Sequence, residues 1–524
     1  MKKVLTLLLM VSLLSLVSLV GIAEEVILDE PLILGTTDRV TELSFANAYD
    51  MFTAHVFHMT TRGLVALTPL ENQIVGDVAE SWDITSDGLE YTFYLKPGIT
   101  FWDGEPCNAA AVKWCFDRAL RLDGPKGAVG LIKGIDHIDV IDDLTVKFTL
   151  KLPDATFLLR ISNAAPAPSA LHSPKVAPEN DFARGVYAGL GPYKLVEYVP
   201  DQYVKYEAYD GYFGDAPKTR LVIEKFYSDA SALRAAIEAG DVDIVYRTLA
   251  PQDVEDLKDN PDVVITYYPP SPGIRYLLFN VTTPPVDNVL VRQGITYLVD
   301  RDAIVAQVFD GTVDPIYTMV PNVDPPFFGA LPTFPKRDVE KGKELLASVG
   351  YNESNPLKLN LWYSPKHYGT FEADVATVLK GSLEETGVIQ INIQVLEWAA
   401  YSERMGEGGM EFFLLGWHPD YLDSSNFLAP WITESPQSQG TYFHLHPNYQ
   451  AYVNIMDVAL ASTDRAVRTK MFEAFQILST QDVPWIPMWS MTDEMVLATR
   501  TNVRGHFMDL TMECLDYLIY KVKE

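Results

Sequence analysis

Short apolar runs, the pattern of strands, alternate along this chain with longer stretches whose apolar residues recur three and four positions apart, the pattern of helices packed on a sheet. Val26 to Leu34 reads as a strand, Gly35 to Asp50 as a loop, and a helix starts near Asp50. From Val78 to Arg121 the order is an apolar segment ending at Trp82, an acidic turn closing on Asp87-Gly88, a strand Tyr91 to Leu95, a turn at Pro97-Gly98, and a helix Ala109 to Arg121. The aromatic residues of this hairpin alternate, which places them on one face. Ile138 to Leu150, turning at Asp142-Asp143, repeats the theme. Leu221 to Tyr227, the helix Ala230 to Ala239 stopped by Gly240, and a strand opening at Asp241 form a βαβ unit, so the class is α/β. Farther on, strands are predicted over Ile274 to Asn280, Leu357 to Tyr363 and Gly387 to Leu396. Helices are predicted over Val289 to Val299, Asp338 to Val349, Phe371 to Thr386 and Ala400 to Met405, with two more between Tyr452 and Ser479.

The stretch Phe412 to Phe427 carries the strongest functional signal. Its unbroken apolar start, ending at Gly416-Trp417, reads as a strand buried on both faces that delivers a polar loop at its carboxyl end. Open α/β sheets hold ligands in such loops. Trp417, Asp420, Tyr421 and Asp423 stand within a few residues of one another, and an indole beside a carboxylate suits a ligand that is partly apolar and partly cationic. The same residues also fit a structural role, with Trp417 in the core and the Asp residues capping a helix.

Composition narrows the setting. The chain has 524 residues, 48% of them hydrophobic, which is enough for about two to four domains around sizeable cores. Lys2 and Lys3, an apolar run Val4 to Val20, and Gly21-Ile22-Ala23 ahead of an acidic pair have the form of a secretory leader, so the mature chain is expected to begin at Glu24. With no Cys at that site, lipid attachment is not expected; the protein is expected in the periplasm, soluble. The net charge is −29, and −31 once Lys2 and Lys3 leave with the leader. Such acidity excludes nucleic acid as a partner, because phosphate binding needs a basic surface. Cys107, Cys115 and Cys514 are odd in number and lie among apolar neighbours, which points to buried thiols, with a Cys107–Cys115 bridge as the alternative.

The segment Val78 to Gly104 resembles the signature of the large solute-binding proteins of ATP-driven importers, family 5, which includes dipeptide, oligopeptide and nickel carriers. So do Gly191-Pro192-Tyr193-Lys194-Leu195, the Ala239-Gly240-Asp241-Val242-Asp243-Ile244 element, and the helix from Val289 that ends at Asp300-Arg301. Two positions depart from the pattern: Leu190 stands where the family has Thr, and Gly294 where it has Ala. The resemblance implies a two-lobe periplasmic-binding-protein (Venus-flytrap) fold with an extra subdomain in the first lobe. The expected division is 1–23 leader, 24–62 lobe I, 63–181 extra subdomain, 182–272 lobe I, 273–487 lobe II and 488–524 the return to lobe I. Tyr267 to Gly273 and Pro484 to Trp489, both proline-rich, are the expected crossings. The resemblance further implies a monomer that closes over a small solute, most plainly an oligopeptide, and is then recognised by an ABC permease. In peptide-carrying relatives the carboxylate matching Asp420 holds the peptide's ammonium. Where dipeptide carriers place an Arg after the strand Leu357 to Tyr363, this chain has Lys366, a point charge without the two-pronged geometry, which disfavours a strict dipeptide carrier. The ligand-facing set expected from this is Asp420, Trp417, Tyr421, His418, Lys366 and Trp398.

No nucleophile elbow, zinc-protease motif, phosphate loop or paired-Cys metal motif is present, so no enzyme, cofactor or resident metal is expected. Three rivals stay open at this level. Trp362, Trp398, Trp417 and Trp431 could stack on an oligosaccharide. Asp420 and Asp423 could form the acid pair of a secreted glycoside hydrolase. His418 with His444 and His446, or His55 with His58, could carry a metal.

Overall fold

The structure, a computed structural model, describes residues 25–68, 73–162, 167–246, 249–269, 272–323, 326–365, 367–368, 371–432, 440–490, 495–508, 514 and 516–523. The expected leader and Lys366 lie outside them. Two mixed sheets organise the rest. The first has seven strands in the order Val263–Tyr268, Met495–Arg500, Ile244–Tyr246, Leu32–Thr36, Leu221–Phe226, Tyr203–Ala208 and Tyr193–Val199. Leu32–Thr36 runs parallel to both neighbours, as the βαβ unit around the helix Ala230–Ala239 requires. The second has six strands in the order Asp314–Pro315, Trp485–Ser490, Ile274–Phe279, Phe412–Trp417, Leu357–Tyr363 and Ile389–Val395. A separate antiparallel sheet, Ala79–Ile84, Glu90–Leu95, Thr145–Leu150 and Ile135–Asp142, packs Phe93 and Phe148 against Phe116 of the helix Ala109–Leu122. These are two α/β lobes with an added subdomain in the first.

The chain passes from the first sheet to the second between Tyr268 and Ile274 and returns between Ser490 and Met495. The stretch Pro484 to Trp489, read as the second crossing, is therefore corrected: Trp485–Ser490 is a buried inner strand. Its Pro487 is tolerated because the pairing with Ile274–Phe279 slips there, Arg275 facing Trp489 and Tyr276 facing Pro487, so Met488 is an extra residue. Val26 to Leu34 is also not one strand. Asp29-Glu30-Pro31 interrupts it, and Val26–Ile27 pairs with Tyr520–Val522 in a small edge sheet while Leu32–Thr36 enters the middle of the large one.

Several helices begin at a capping side chain. Asp50, Asn108, Asp229 and Asp338 each accept a backbone N–H from the first turn of the helix that follows. Gly294 is a packing residue. A Cβ there would sit 2.9 Å from Leu346 Cγ, because the helices Val289–Leu298 and Val339–Ser348 meet at Gly294 and Gly342. Leu190 is buried between Gly189 and Gly191, whose backbone presses on Thr60; a Cβ on Gly189 would lie 2.0 Å from the Thr60 carbonyl oxygen.

Candidate functional site

All six residues of Phe412–Trp417 are buried. Phe413, Leu415 and Trp417 enter a core with Ile274, Trp431 and Trp485, and Phe412 and Leu414 enter the core on the other face with Leu277, Leu361 and Ile486. A strand used on both faces cannot slip in register, so the loop after it is held in place. Asn426 fixes that loop from within: its amide oxygen takes the Trp417 indole N–H at 3.1 Å and the Asp420 backbone N–H at 2.8 Å. Asp423 caps the short 3-10 turn Ser424–Phe427 and makes a two-pronged ion pair with Arg468, at 2.7 and 2.9 Å, out of contact with solvent.

Asp420 faces the first lobe. The hydroxyl of Tyr49, just ahead of the helix Met51–Thr60, donates to its Oδ1 at 2.5 Å, and the Asn426 amide donates to Oδ2 at 3.4 Å. No Lys, Arg or His among the described residues lies within ion-pair distance of this carboxylate. Lost solvation pushes its pKa up to about 6. The Tyr49 hydrogen bond, the Asn426 amide and the more distant Arg160 charge oppose that rise, in that order. Tyr49 keeps 41% of its surface exposed while its hydroxyl end meets the second lobe at Asp420. Its phenol is accordingly driven well above its usual pKa, first by lost solvation and then by Asp420.

Two further contacts join the lobes here. The Ala155 N–H donates to the Leu460 carbonyl at 2.7 Å, and the Arg160 guanidinium stands 5.3 Å from the centre of the Tyr421 ring. Tyr421 is buried with its hydroxyl 3.3 Å from Ser425 Oγ. Trp417 is only 6% exposed, and His418 is half-buried at the strand's end. Trp398 opens the helix Trp398–Gly406 and is covered by His367, whose ring lies parallel to it at 3.5 Å. The structure thus groups Asp420, Trp417, Tyr421 and His418 at one loop, with Trp398 at the start of a nearby helix. It adds Tyr49, Asn426 and Arg160, which the sequence reading missed. Asn426 lay in plain view within the same loop; Tyr49 and Arg160 come from the other lobe and leave no local signal.

The acid pair of a hydrolase is not assembled, because Asp423 is committed to Arg468. His55 lies 2.9 Å from Glu224 in the first-lobe core, whereas His58 stacks on Tyr517, so the two do not converge. Among the described residues no group of three His, Cys, Asp or Glu side chains could hold a metal ion. All three cysteines are buried and none is in a disulfide, and burial pushes the Cys115 thiol up to about 12. No described helix is long and apolar enough to cross a membrane.

Comparison with known proteins fits this geometry. The chain is 29% identical to the glutathione-binding protein GsiB of Pectobacterium atrosepticum, covering 92% of this chain and 91% of the relative. It is 30% identical to heme-binding protein A of Haemophilus influenzae, covering 78% of each. The dipeptide binding protein of Pseudoalteromonas sp. SM9913, solved in complex with Met-Leu, superposes with a TM-score of 0.81 at 21% identity over 94% of this chain and all of that one. The model of the bacterial extracellular solute-binding proteins, family 5, matches residues 73–439, well over half the length. This chain therefore belongs to that family, whose members are the solute-binding components of ABC transporters.

Proposed function

We propose that the protein, freed of residues 1–23 and acting outside the cytoplasm as a monomer, closes over an oligopeptide, holds its amino-terminal ammonium on Asp420, and presents it to a membrane permease. The single observation that carries this reading is the Asp420 carboxylate: half-buried at the carboxyl end of an inner strand, its pKa raised by lost solvation, and with no Lys, Arg or His within ion-pair distance among the described residues. A carboxylate in that state gains from an incoming ammonium what it lost in hydration. Tyr49 supports the reading, since its hydroxyl sits where a second donor to the same oxygen would come from the opposite lobe. The relatives named for glutathione and solved with Met-Leu have ligands bearing a free ammonium. An oligosaccharide needs open aromatic faces, and here Trp431 and Trp417 are buried, Trp398 lies under His367, and Trp362 lies beside Arg404 with its indole N–H on Glu411.

The test is a thermal-shift screen of the mature protein against tripeptides to pentapeptides, oligosaccharides and nickel salts, because a ligand that binds only the folded state raises the melting temperature with its concentration. Peptides are expected to give the shift and Asp420→Ala to abolish it with the fold intact. A shift with sugars or nickel and none with any peptide would overturn the proposal.

A further inference from the structure

The short helix Phe157–Arg160 follows the added subdomain's last strand, and Phe157 and Ile161 anchor it in that subdomain's core. Arg160 is thereby aimed at the other lobe. Its Nε edge is used at home, on Thr156 Oγ1 at 2.9 Å and Asp154 at 3.2 Å. Asp154 is itself satisfied by the Thr156 N–H at 2.8 Å and the Thr156 hydroxyl at 2.6 Å. The guanidinium lies over Tyr421, the residue next to Asp420. Its two terminal nitrogens make no hydrogen bond to any described residue, and the side chain remains 17% exposed. Stacking occupies the face of a guanidinium and leaves its in-plane donors free. What remains at Arg160 is a two-pronged N–H fork, held in place, partly open, and beside the ammonium acceptor. Arg275, another arginine close to this loop, is sealed from solvent and pairs through Nη2 with Glu372, leaving its Nε and Nη1 without a hydrogen bond but closed off from an incoming ligand.

We propose that Arg160 is the anion half of the ligand site, binding a carboxylate carried by the same terminal residue whose ammonium rests on Asp420. The inference rests on the peptide reading and narrows it to peptides whose first residue bears both charges. That chemistry has two sources: an ordinary amino-terminal Glu or Asp, whose carboxylate is on the side chain, or a glutamyl residue linked through its side chain, whose α-carboxylate stays free. Arg160 selects for such ligands because a carboxylate matches the open fork in two parallel hydrogen bonds, whereas a neutral amide fills only part of it.

Calorimetry at pH 7.5 on the mature protein, using Glu-Ala-Ala, γ-Glu-Ala-Ala, Gln-Ala-Ala and Ala-Ala-Ala, tests this. At least one acidic peptide is expected to bind about tenfold tighter than Gln-Ala-Ala, and which one identifies the source. Arg160→Gln is expected to erase that ratio, weakening the acidic peptide about tenfold more than Gln-Ala-Ala, and Arg160→Lys to restore part of it. If Arg160 serves only to hold the lobes together on Tyr421, Arg160→Gln weakens every peptide by the same factor and the inference falls. Equal affinity of the wild type for acidic and neutral peptides overturns the inference and leaves the peptide reading standing. Failure of all four to bind overturns both.

Discussion

Asp420 makes the sharpest prediction, because the same burial that suits it to an ammonium also moves its titration into an accessible range. Its pKa near 6, against 3.8 for an unperturbed Asp, means that keeping it ionised in the folded protein costs on the order of 3 kcal/mol. A folded-state pKa above the unfolded one stabilises the fold as pH falls from above 6 toward 4, so acid does not unfold the protein through this residue. Acid does remove the charge that an ammonium needs. Affinity for a tripeptide with a free amino terminus is therefore expected to be highest near pH 7, to be about tenfold weaker at pH 5 and to go on falling about tenfold per pH unit below that, and to decline again from about pH 8 as the ammonium loses its proton. Calorimetry from pH 5 to 8 measures this with the fold checked at each point, and the peptide's own termini do not titrate between pH 5 and 7. Asp420→Asn, which cannot titrate, is the control. It is expected to bind more weakly by about 2 kcal/mol or more, with a flat profile. A wild-type profile that stays flat down to pH 5, as an ordinary Asp would give, or a slope that persists in Asp420→Asn, would refute the reasoning.

Three further outcomes follow. Tyr49→Phe removes a hydrogen bond that holds the Asp420 pKa down, so the midpoint of the same titration is expected to move above 6; an unmoved midpoint would mean that the two lobes do not meet there. Gly294→Ala is expected to lower stability by about 1–3 kcal/mol in urea unfolding, since its Cβ would press on Leu346. Gly381→Ala, in the helix Glu372–Glu384 with open space around it, is expected to gain about 0.5–1 kcal/mol, and equal signs for the pair would contradict this account of the helix contact. Arg275→Met strands Glu372 as a buried carboxylate and is expected to lose about 3–5 kcal/mol, much of it regained in Arg275→Met/Glu372→Leu; no recovery in the double variant would show that the ion pair is not the source.

The strand Phe412–Trp417 was legible because large apolar residues on both faces leave few other places for it, and the loop after it then had to lie at a sheet edge. Asp420 could be singled out on that basis. Tyr49 could not: it lies 371 residues away, in a loop whose local pattern predicts only the cap at Asp50, and nothing short-range encodes a contact made when two lobes meet. Arg160 was hidden for the same reason. Trp417 and Trp431 were read as open to a ligand by residue type, whereas packing against Ile274 and Trp485 takes most of their surface. The misread crossing at Pro484 to Trp489 shows a different limit. Proline reports that one backbone N–H is missing, and an irregular register absorbs that loss as well as a linker does.

The central claim is that a free amino terminus is what the site grips. The most direct measurement compares one peptide with and without an N-acetyl group, by calorimetry at pH 7.5 on the mature protein. Acetylation removes the ammonium and leaves the rest of the ligand intact, so affinity is expected to fall by about a hundredfold or more. Equal affinity for the two peptides would contradict the account.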